Sequence, residues 1–434
     1  MLAVVRRWRG RAAIGSALAA LVLAGCSNAA PPSATPQSGT APGVTSTAID
    51  VGALATLSGP IAADFGPIVP GVEAYFDMVN AHGGINGRKL VMAHALDDGG
   101  SPTQNADLAR TLVQQDHVFA VVGVATAFFS GAPYLASSGT PTFGFATEND
   151  WTPAPNLFAA YGSIVSYTSS LGQFAFLAHQ LHTTSVGVLA YNVPQSAEEC
   201  QTAVNSFNRY GIHVGYSDLS IPYLGDLSSD VLRMKQAGVD LVVSCMDVSG
   251  NLGLARTMQQ NGLGNTQQLW FDGYDRTTLE ANAPLMQHTH FLVQHVPFEA
   301  ASAFPGKFPG LQTYLAAMKK YEPKYTYNEV AMDGWLSAAL FAQGVKAAGS
   351  DLTQKKLVDD INHITNFTAG LSTPVNWTLA HTVVTSPECE SYVTVVGSKF
   401  QLAFNHGTNI WTCFPTTDPD PTKPVQPPPG SPLG

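Results

Sequence analysis

The chain has 434 residues, 21 Lys and Arg against 31 Asp and Glu, a formal net charge of −10 and 45% apolar side chains. That acidic balance excludes nucleic acid as a partner and offers no basic face to anionic lipid. A folded body of about 370 residues exceeds one typical core and predicts two domains or lobes.

The N-terminus carries Arg6, Arg7, Arg9 and Arg11, then the apolar run 12–23, then Ala24, Gly25 and Cys26. Charged, apolar, then small is the order of an export signal. About 12 apolar residues fall short of the roughly 20 that a spanning helix needs. Leu23-Ala24-Gly25-Cys26 resembles the bacterial lipobox, which predicts a signal peptide over residues 1–25 and a lipid on Cys26. Arg6-Arg7 lacks the surroundings of a twin-arginine signal, so an ordinary basic leader is expected. Loss of residues 1–25 removes four arginines and no acid, and the charge deepens to −14. The expected location is extracytoplasmic, anchored to the cell membrane by that lipid. Residues 26–46 hold no large apolar side chain apart from Val44 and read as a disordered tether. About 20 such residues hold a domain a few nanometres from the membrane.

Residues 48–55 read as a strand, Ser58-Gly59-Pro60 as a turn, and Val72, Tyr75, Phe76 and Val79 repeat at helical spacing. Gly83-Gly84 ends that helix, and Asn86-Gly87 turns the chain into a strand over 88–96. Ser101 is a helix N-cap with Pro102 at the first position and Gln104 completing a capping box. Residues 118–122 read as a strand buried on both faces. Strands at 185–190, 212–216 and 240–244 then alternate with helices around 196–210, 226–237 and 249–261, a parallel α/β signature in two halves. Open sheets of this kind bind ligands beyond the carboxyl ends of their strands, so two facing sheets would make a cleft. The Pro-rich stretch 416–434 is excluded from the fold as a second disordered tail.

With Cys26 set aside, Cys200, Cys245, Cys389 and Cys413 remain. An even number in an exported chain favours two disulfides. Three pairings are open, and sequence proximity favours Cys200–Cys245 with Cys389–Cys413.

Four pieces resemble the type I periplasmic solute-binding proteins of the branched-chain amino acid (Leu/Ile/Val) receptor group, which serve ABC importers. They are Leu57-Ser58-Gly59-Pro60 with Phe65-Gly66; the stretch 80–90 around Gly83-Gly84-Ile85-Asn86-Gly87; Asp97-Asp98; and Ala146-Thr147. The resemblance implies an α/β fold of periplasmic-binding-protein type I: two Rossmann-like lobes with a hinge and an interlobe cleft. The chain would cross between lobes near residues 161, 296 and 371. Lobe I would take 47–161 and 297–370, and lobe II 162–296 and 371–415.

In that family the first lobe grips a ligand carboxylate with hydroxyls and main-chain amides. The matching positions are Ser58, Thr126 and Thr147, with backbone groups of Phe145 and Ala146, and Phe65 stands where an aromatic lid is usual. The second lobe departs from the pattern. Where that group presents a Tyr in a Tyr-Gly-Glu/Gln-Gly stretch, this chain has Pro194-Gln195-Ser196-Ala197, with Gln195 as the candidate ligand contact, and Met246, Asp247, Asp272 and Tyr274 align near the positions that meet a ligand ammonium. Asp247 or Asp272 can supply a paired carboxylate, though neither sits at the family's position. Phe65, Phe145, Tyr161, Tyr191 and Tyr274 form an aromatic rim that equally fits a core role. The ligand class therefore spans an amino acid, an amide and an apolar or aromatic acid.

No nucleophile elbow, phosphate-cradling loop or zinc-protease motif is present in the sequence, so no catalysis, cofactor or metal is expected. His288, His290 and His295 read as ordinary histidines. The expected function is a monomeric solute-binding lipoprotein that delivers a small molecule to an ABC permease. The alternatives are a ligand-sensing receptor domain of the same fold and a lipid-anchored hydrolase.

Overall fold

The structure is a computed structural model that describes residues 41–163, 172–384, 388–415 and 420–432. The expected signal peptide, Cys26 and the tether up to residue 40 lie outside the described residues. The alternating strand and helix signals resolve into two sheets. In the first, β1 (Ala48–Ala55), β2 (Lys89–Asp97), β3 (Ala120–Ala125), β4 (Thr142–Gly144) and β5 (Leu157–Ala159) lie in the order β2-β1-β3-β4-β5, every pair parallel. The second holds β6 (Val186–Tyr191), β7 (Val214–Ile221), β8 (Leu241–Cys245), β9 (Gln267–Trp270), β10 (Thr289–Val293), β11 (Glu388–Val396), β12 (Lys399–Ala403) and β13 (Thr412–Phe414). Its order is β12-β11-β10-β9-β8-β6-β7, with β13 beside β11. Strands β6 to β10 pair in parallel, and β11 to β13 add antiparallel. Every residue of β3, β6 and β8 is buried, as parallel strands covered on both faces require.

Local chemistry sets the joints. Asn86 and Gly87 carry φ of 51° and 78°, the positive values that a tight two-residue turn between Ile85 and Arg88 demands. Ser101 caps the helix Pro102–Gln114 by accepting from Gln104 N. The reciprocal half of the expected capping box is absent: the Gln104 amide instead donates to Asp97 O at 2.8 Å, which ties the helix start to the end of β2.

The first lobe is built around two helices, Ile68–Ala81 and Glu329–Ala348, that touch backbone to backbone. A Cβ at Gly71 would stand 1.9 Å from Ala331 O, and one at Gly334 2.0 Å from Ile68 O. Only glycine permits so close a crossing. Phe143 packs against Phe158 at 5.1 Å and against Phe341 at 5.6 Å, which joins β4 and β5 to the second of these helices.

Two connections between the sheets run side by side: His295 bridges Ser372, and Val296 N donates to Leu371 O at 2.6 Å. The chain then turns back, and Val375, Trp377 and Ala380 pack into the first lobe's core before β11 begins at Glu388. Trp377 lies edge-on to Phe158 at 5.1 Å. Residues beyond 371, expected in the second lobe, thus contribute to the first, because Trp377 and its neighbours carry the apolar surface that covers β5.

Disulfides join Cys200 to Cys245 and Cys389 to Cys413. The first pins the helix Pro194–Arg209 to the end of β8, and the second ties β11 to β13. Both ends of the chain expected to be loose are partly docked. Val44 bridges Ile49 and packs, with Ala41, on the first core. In the tail, Val425 N donates to Cys413 O at 2.8 Å, and the buried Trp411 indole donates to Pro432 O at 2.8 Å. A buried indole N–H needs an acceptor, and a Pro-rich segment supplies carbonyls with few competing donors.

Candidate functional site

Parallel strands put their connecting loops at one edge. In the first lobe these follow β1 (56–60), β3 (126–129) and β4 (145–148); in the second they follow β6 (192–193, with Gln195 in the first turn of the next helix), β8 (246–247) and β9 (271–274).

The first lobe's loops are cross-braced by two carboxylates. Asp98, fully buried, accepts from Thr56 Oγ1 at 2.7 Å, Gly100 N at 2.8 Å and Asn105 Nδ2 at 2.8 Å. Asp97 accepts from Leu57 N at 2.9 Å, Ser58 N at 3.2 Å, Gly99 N at 2.9 Å and the Ser58 hydroxyl. The other expected hydroxyls also bond within the lobe. Thr147 Oγ1 donates to Thr126 O at 3.1 Å, and Thr126 Oγ1 accepts from Phe128 N at 3.3 Å. Phe129 N donates to Glu148 Oε1 at 2.5 Å. Burial pushes the Glu148 carboxyl up to about 7, against the pull of that N–H.

Phe65 ends the short helix Ala62–Phe65 and is half-buried, packing with Phe145 on the small cluster of Ala53, Ala55 and Ile68. Ala146 packs on the opposite face of the same sheet. Tyr161 does not join the rim, because its hydroxyl donates to Asp333 Oδ1 at 2.8 Å on the helix Glu329–Ala348.

In the second lobe Asp247 caps the helix Val248–Gln260 by accepting from Gly250 N at 2.7 Å, and receives the hydroxyls of Tyr191 at 2.9 Å and Tyr223 at 3.1 Å. Met246 is core. Tyr274 is core on one side: its hydroxyl donates to the Glu299 carboxylate and accepts from Phe298 N at 2.9 Å, and its ring stacks on Phe298 at 5.1 Å. None of the three histidines joins the site. His290 Nε2 pairs with Gln267 Oε1 at 2.9 Å and His295 Nδ1 with Val296 O at 2.9 Å. Among the described residues no group of His, Cys, Asp and Glu is arranged to hold a metal ion.

Among the described residues, Arg276 N donates to Tyr327 O at 3.0 Å and Asn328 Nδ2 to Asp275 Oδ2 at 3.1 Å from one lobe to the other, and two further hydrogen bonds cross beside the strand-end loops. The Gln195 side-chain amide donates to Ala127 O, and Val248 N donates to Asp64 Oδ1 at 3.1 Å. Asp64 thus meets the N-terminus of a helix in the opposite lobe, where the helix dipole favours negative charge. Beside it a cavity of about 610 Å³ opens between the lobes, lined among others by Asp64, Asp272, Tyr274, Lys324, Tyr325 and Glu329. Burial pushes the Asp64 carboxyl up to about 7, opposed by Val248 N–H and reinforced by Asp247. Burial also holds Asp272 well above the carboxylate range, helped by Asp64, Glu199 and Asp247, and Glu329 likewise, helped by Asp333, Asp272 and Glu390. Of these acids the sequence pattern singles out Asp247 and Asp272. Asp64 stands beside the expected lid Phe65 without a motif of its own, and Glu329 reads as an ordinary first-turn helix acid.

A family model described as periplasmic binding protein matches residues 48–398. The chain belongs to the periplasmic binding protein family. Its members are substrate-binding proteins rather than enzymes, and they work outside the cytoplasm. The Leu/Ile/Val-binding protein homolog 3 of Brucella melitensis is 28% identical over 202 residues, 45% of this chain and 53% of that protein. The match therefore spans about half the length of this curated relative. A fatty acid ABC transporter substrate-binding protein from Thermomonospora curvata shares the fold with a TM-score of 0.68 at 17% identity, over 90% of this chain and 97% of that one. The branched-chain amino acid transporter substrate-binding protein of Streptococcus pneumoniae, solved with isoleucine, gives 0.66 at 17% identity, over 82% and 99%. An R. palustris solute-binding protein, solved with benzoate, gives 0.65 at 18% identity, over 82% and 95%. With these relatives the chain takes its place in the type I, branched-chain amino acid receptor group, and its two lobes are the two halves of that fold. Among the described residues no helix is long and apolar enough to cross a membrane.

Proposed function

We propose that the chain is a receptor that captures a small solute between its two lobes and delivers it to an ABC-type importer, held at the membrane by a lipid on Cys26. The observation that carries this reading is the cavity of about 610 Å³ between the lobes, flanked by the hydrogen bond from Val248 to Asp64. Its volume falls in the range of about 300–1,000 Å³ usual for small-molecule sites. The paired connections at His295 and Ser372 supply a hinge about which the lobes would close. The loops that meet at the cleft are those after β1, β3 and β4 on one side and after β6, β8 and β9 on the other.

A ligand that binds only the folded state stabilises it by about 2.7 kcal/mol at a hundredfold excess over Kd. A thermal-unfolding panel of amino acids, amides, aromatic acids, amines and sugars is expected to contain a stabilising compound, and Phe65→Ala is expected to weaken its effect. A panel in which no compound shifts unfolding would overturn the reading. Mass-spectrometric detection of diacylglyceryl on Cys26 tests the anchor separately.

A further inference from the structure

We propose that this cleft selects an organic cation that carries no carboxylate, an amine or guanidinium of small-molecule size, held by Asp64, Asp272 and Glu329. The proposal rests on the solute-receptor reading above and names its substrate class.

Three carboxylates from three distant parts of the chain line one cavity. Asp64 is 6% exposed, and its Oδ1 accepts from Val248 N. The carboxylates of Asp272 and Glu329 make no hydrogen bond or ion pair among the described residues, and at Asp272 only the main-chain carbonyl is engaged, by Asn251 Nδ2 at 3.3 Å. No described Lys, Arg or His forms an ion pair with any of the three. Lys324 at the cavity wall is exposed, and its ammonium is directed to Tyr325, at 3.3 Å from the hydroxyl and 4.9 Å from the ring centroid. Unpaired acids in a partly dry wall are costly to ionise, and a cation brought among them removes that cost. An anion brought there would add repulsion.

The first lobe points the same way. Several groups that could receive a ligand carboxylate are engaged inside the lobe: Ser58 N by Asp97, Phe145 N by Val124 O, Thr147 Oγ1 by Thr126 O, Phe128 N by Thr126 Oγ1 and Gly131 N by Asn105 Oδ1. Phe129 N is taken by Glu148. The Tyr325 ring at the cavity wall already meets the Lys324 ammonium, the kind of contact an aromatic face offers an organic cation.

The groups that face Asp64 are Asp247 and Asp272 from the second lobe's loops, the hydroxyls of Tyr191 and Tyr223, Val248 N–H, and, across the cavity, Glu73, Glu329 and Lys324. With Asp64 titrating at about 7, a cation that needs it ionised binds about tenfold more tightly at pH 8 than at pH 6 and releases a proton at the lower pH.

The test is isothermal titration of the whole protein with agmatine, putrescine and choline, against isoleucine and benzoate, at both pH values and in two buffers of different ionisation enthalpy. At least one amine is expected to bind, more tightly at pH 8, with a buffer-dependent heat that reports proton release. Asp272→Asn and Glu329→Gln are each expected to weaken that amine by about tenfold or more, with unfolding temperatures of the uncomplexed variants unchanged or raised. Binding of isoleucine or benzoate with no amine binding would overturn the cation proposal and leave the solute-receptor reading standing. Amine binding that both variants retain in full would also overturn it, by placing the ligand elsewhere. Silence from all five probes overturns the cation proposal, and only silence across the wider thermal panel overturns the receptor reading with it.

Discussion

The two rims of the cleft are fixed by different means. In the first lobe, Asp97 and Asp98 spend their oxygens on bracing loops, drawing in Thr56, Leu57, Ser58, Gly99, Gly100 and Asn105. In the second, the Cys200–Cys245 disulfide pins the helix after β6 to the end of β8, and Asp272 is left without a structural partner for its carboxylate among the described residues. A carboxylate oxygen that braces a loop is not open to a ligand. Asp97 and Asp98 are committed in that way, whereas the Asp272 carboxylate is held in reserve.

Five measurements would break or sharpen that contrast. The largest effect is expected from Cys200→Ser with Cys245→Ser. Opening a loop with a sequence separation of 45 costs roughly 4 kcal/mol on the chain-entropy model, read as a lower denaturant midpoint. An unchanged midpoint would mean that the second rim is braced by something else. Asp98→Ala comes next, at about 3 kcal/mol, because it strands two buried donors and a partly buried one at once. Gly334→Ala, a control that touches neither rim, should cost about 1–3 kcal/mol as the helix pair is forced apart.

Asp272→Asn should be the smallest effect and opposite in sign to Asp98→Ala, a gain of at most about 1 kcal/mol, since it removes a buried acid with nothing to pair it. A loss comparable with that of Asp98→Ala would erase the distinction between bracing and reserved carboxylates. The pH profile carries the same sign. Asp64 holds its proton more tightly in the folded chain, at about 7, than in the unfolded chain, where an aspartate has its ordinary value of 3.8. Its contribution to stability is therefore complete below about 3.8 and is lost as pH rises through about 7. Denaturant midpoints measured from pH 4 to pH 8 should fall, and Asp64→Asn should flatten the decline.

The alternation of strands and helices was legible because each element carries its own period: β1 is where residues 48–55 predict it, and β6 lies within one residue of its expected bounds. The turn at Asn86-Gly87 was legible for the same local reason, and the disulfide pairs for their short separations. The docked tail was not, since composition reports that Pro-rich residues cannot form a core, not that their carbonyls can satisfy Trp411. At the site, sequence pointed to hydroxyls such as Ser58 and Thr147 that the fold turns inward. It passed over Asp64 and Glu329, which become neighbours of Asp272 only when loops from two sheets and the start of a long helix converge. A single acid has no periodicity, so nothing short of tertiary structure marks it.

The hydrogen bond from Val248 to Asp64 has a use beyond closure. One lobe completes the helix end of the other, so the Val248 amide is sheltered by its partner only while the lobes meet. Hydrogen–deuterium exchange at that single amide should therefore count openings of the cleft directly, and a bound solute should slow its clock.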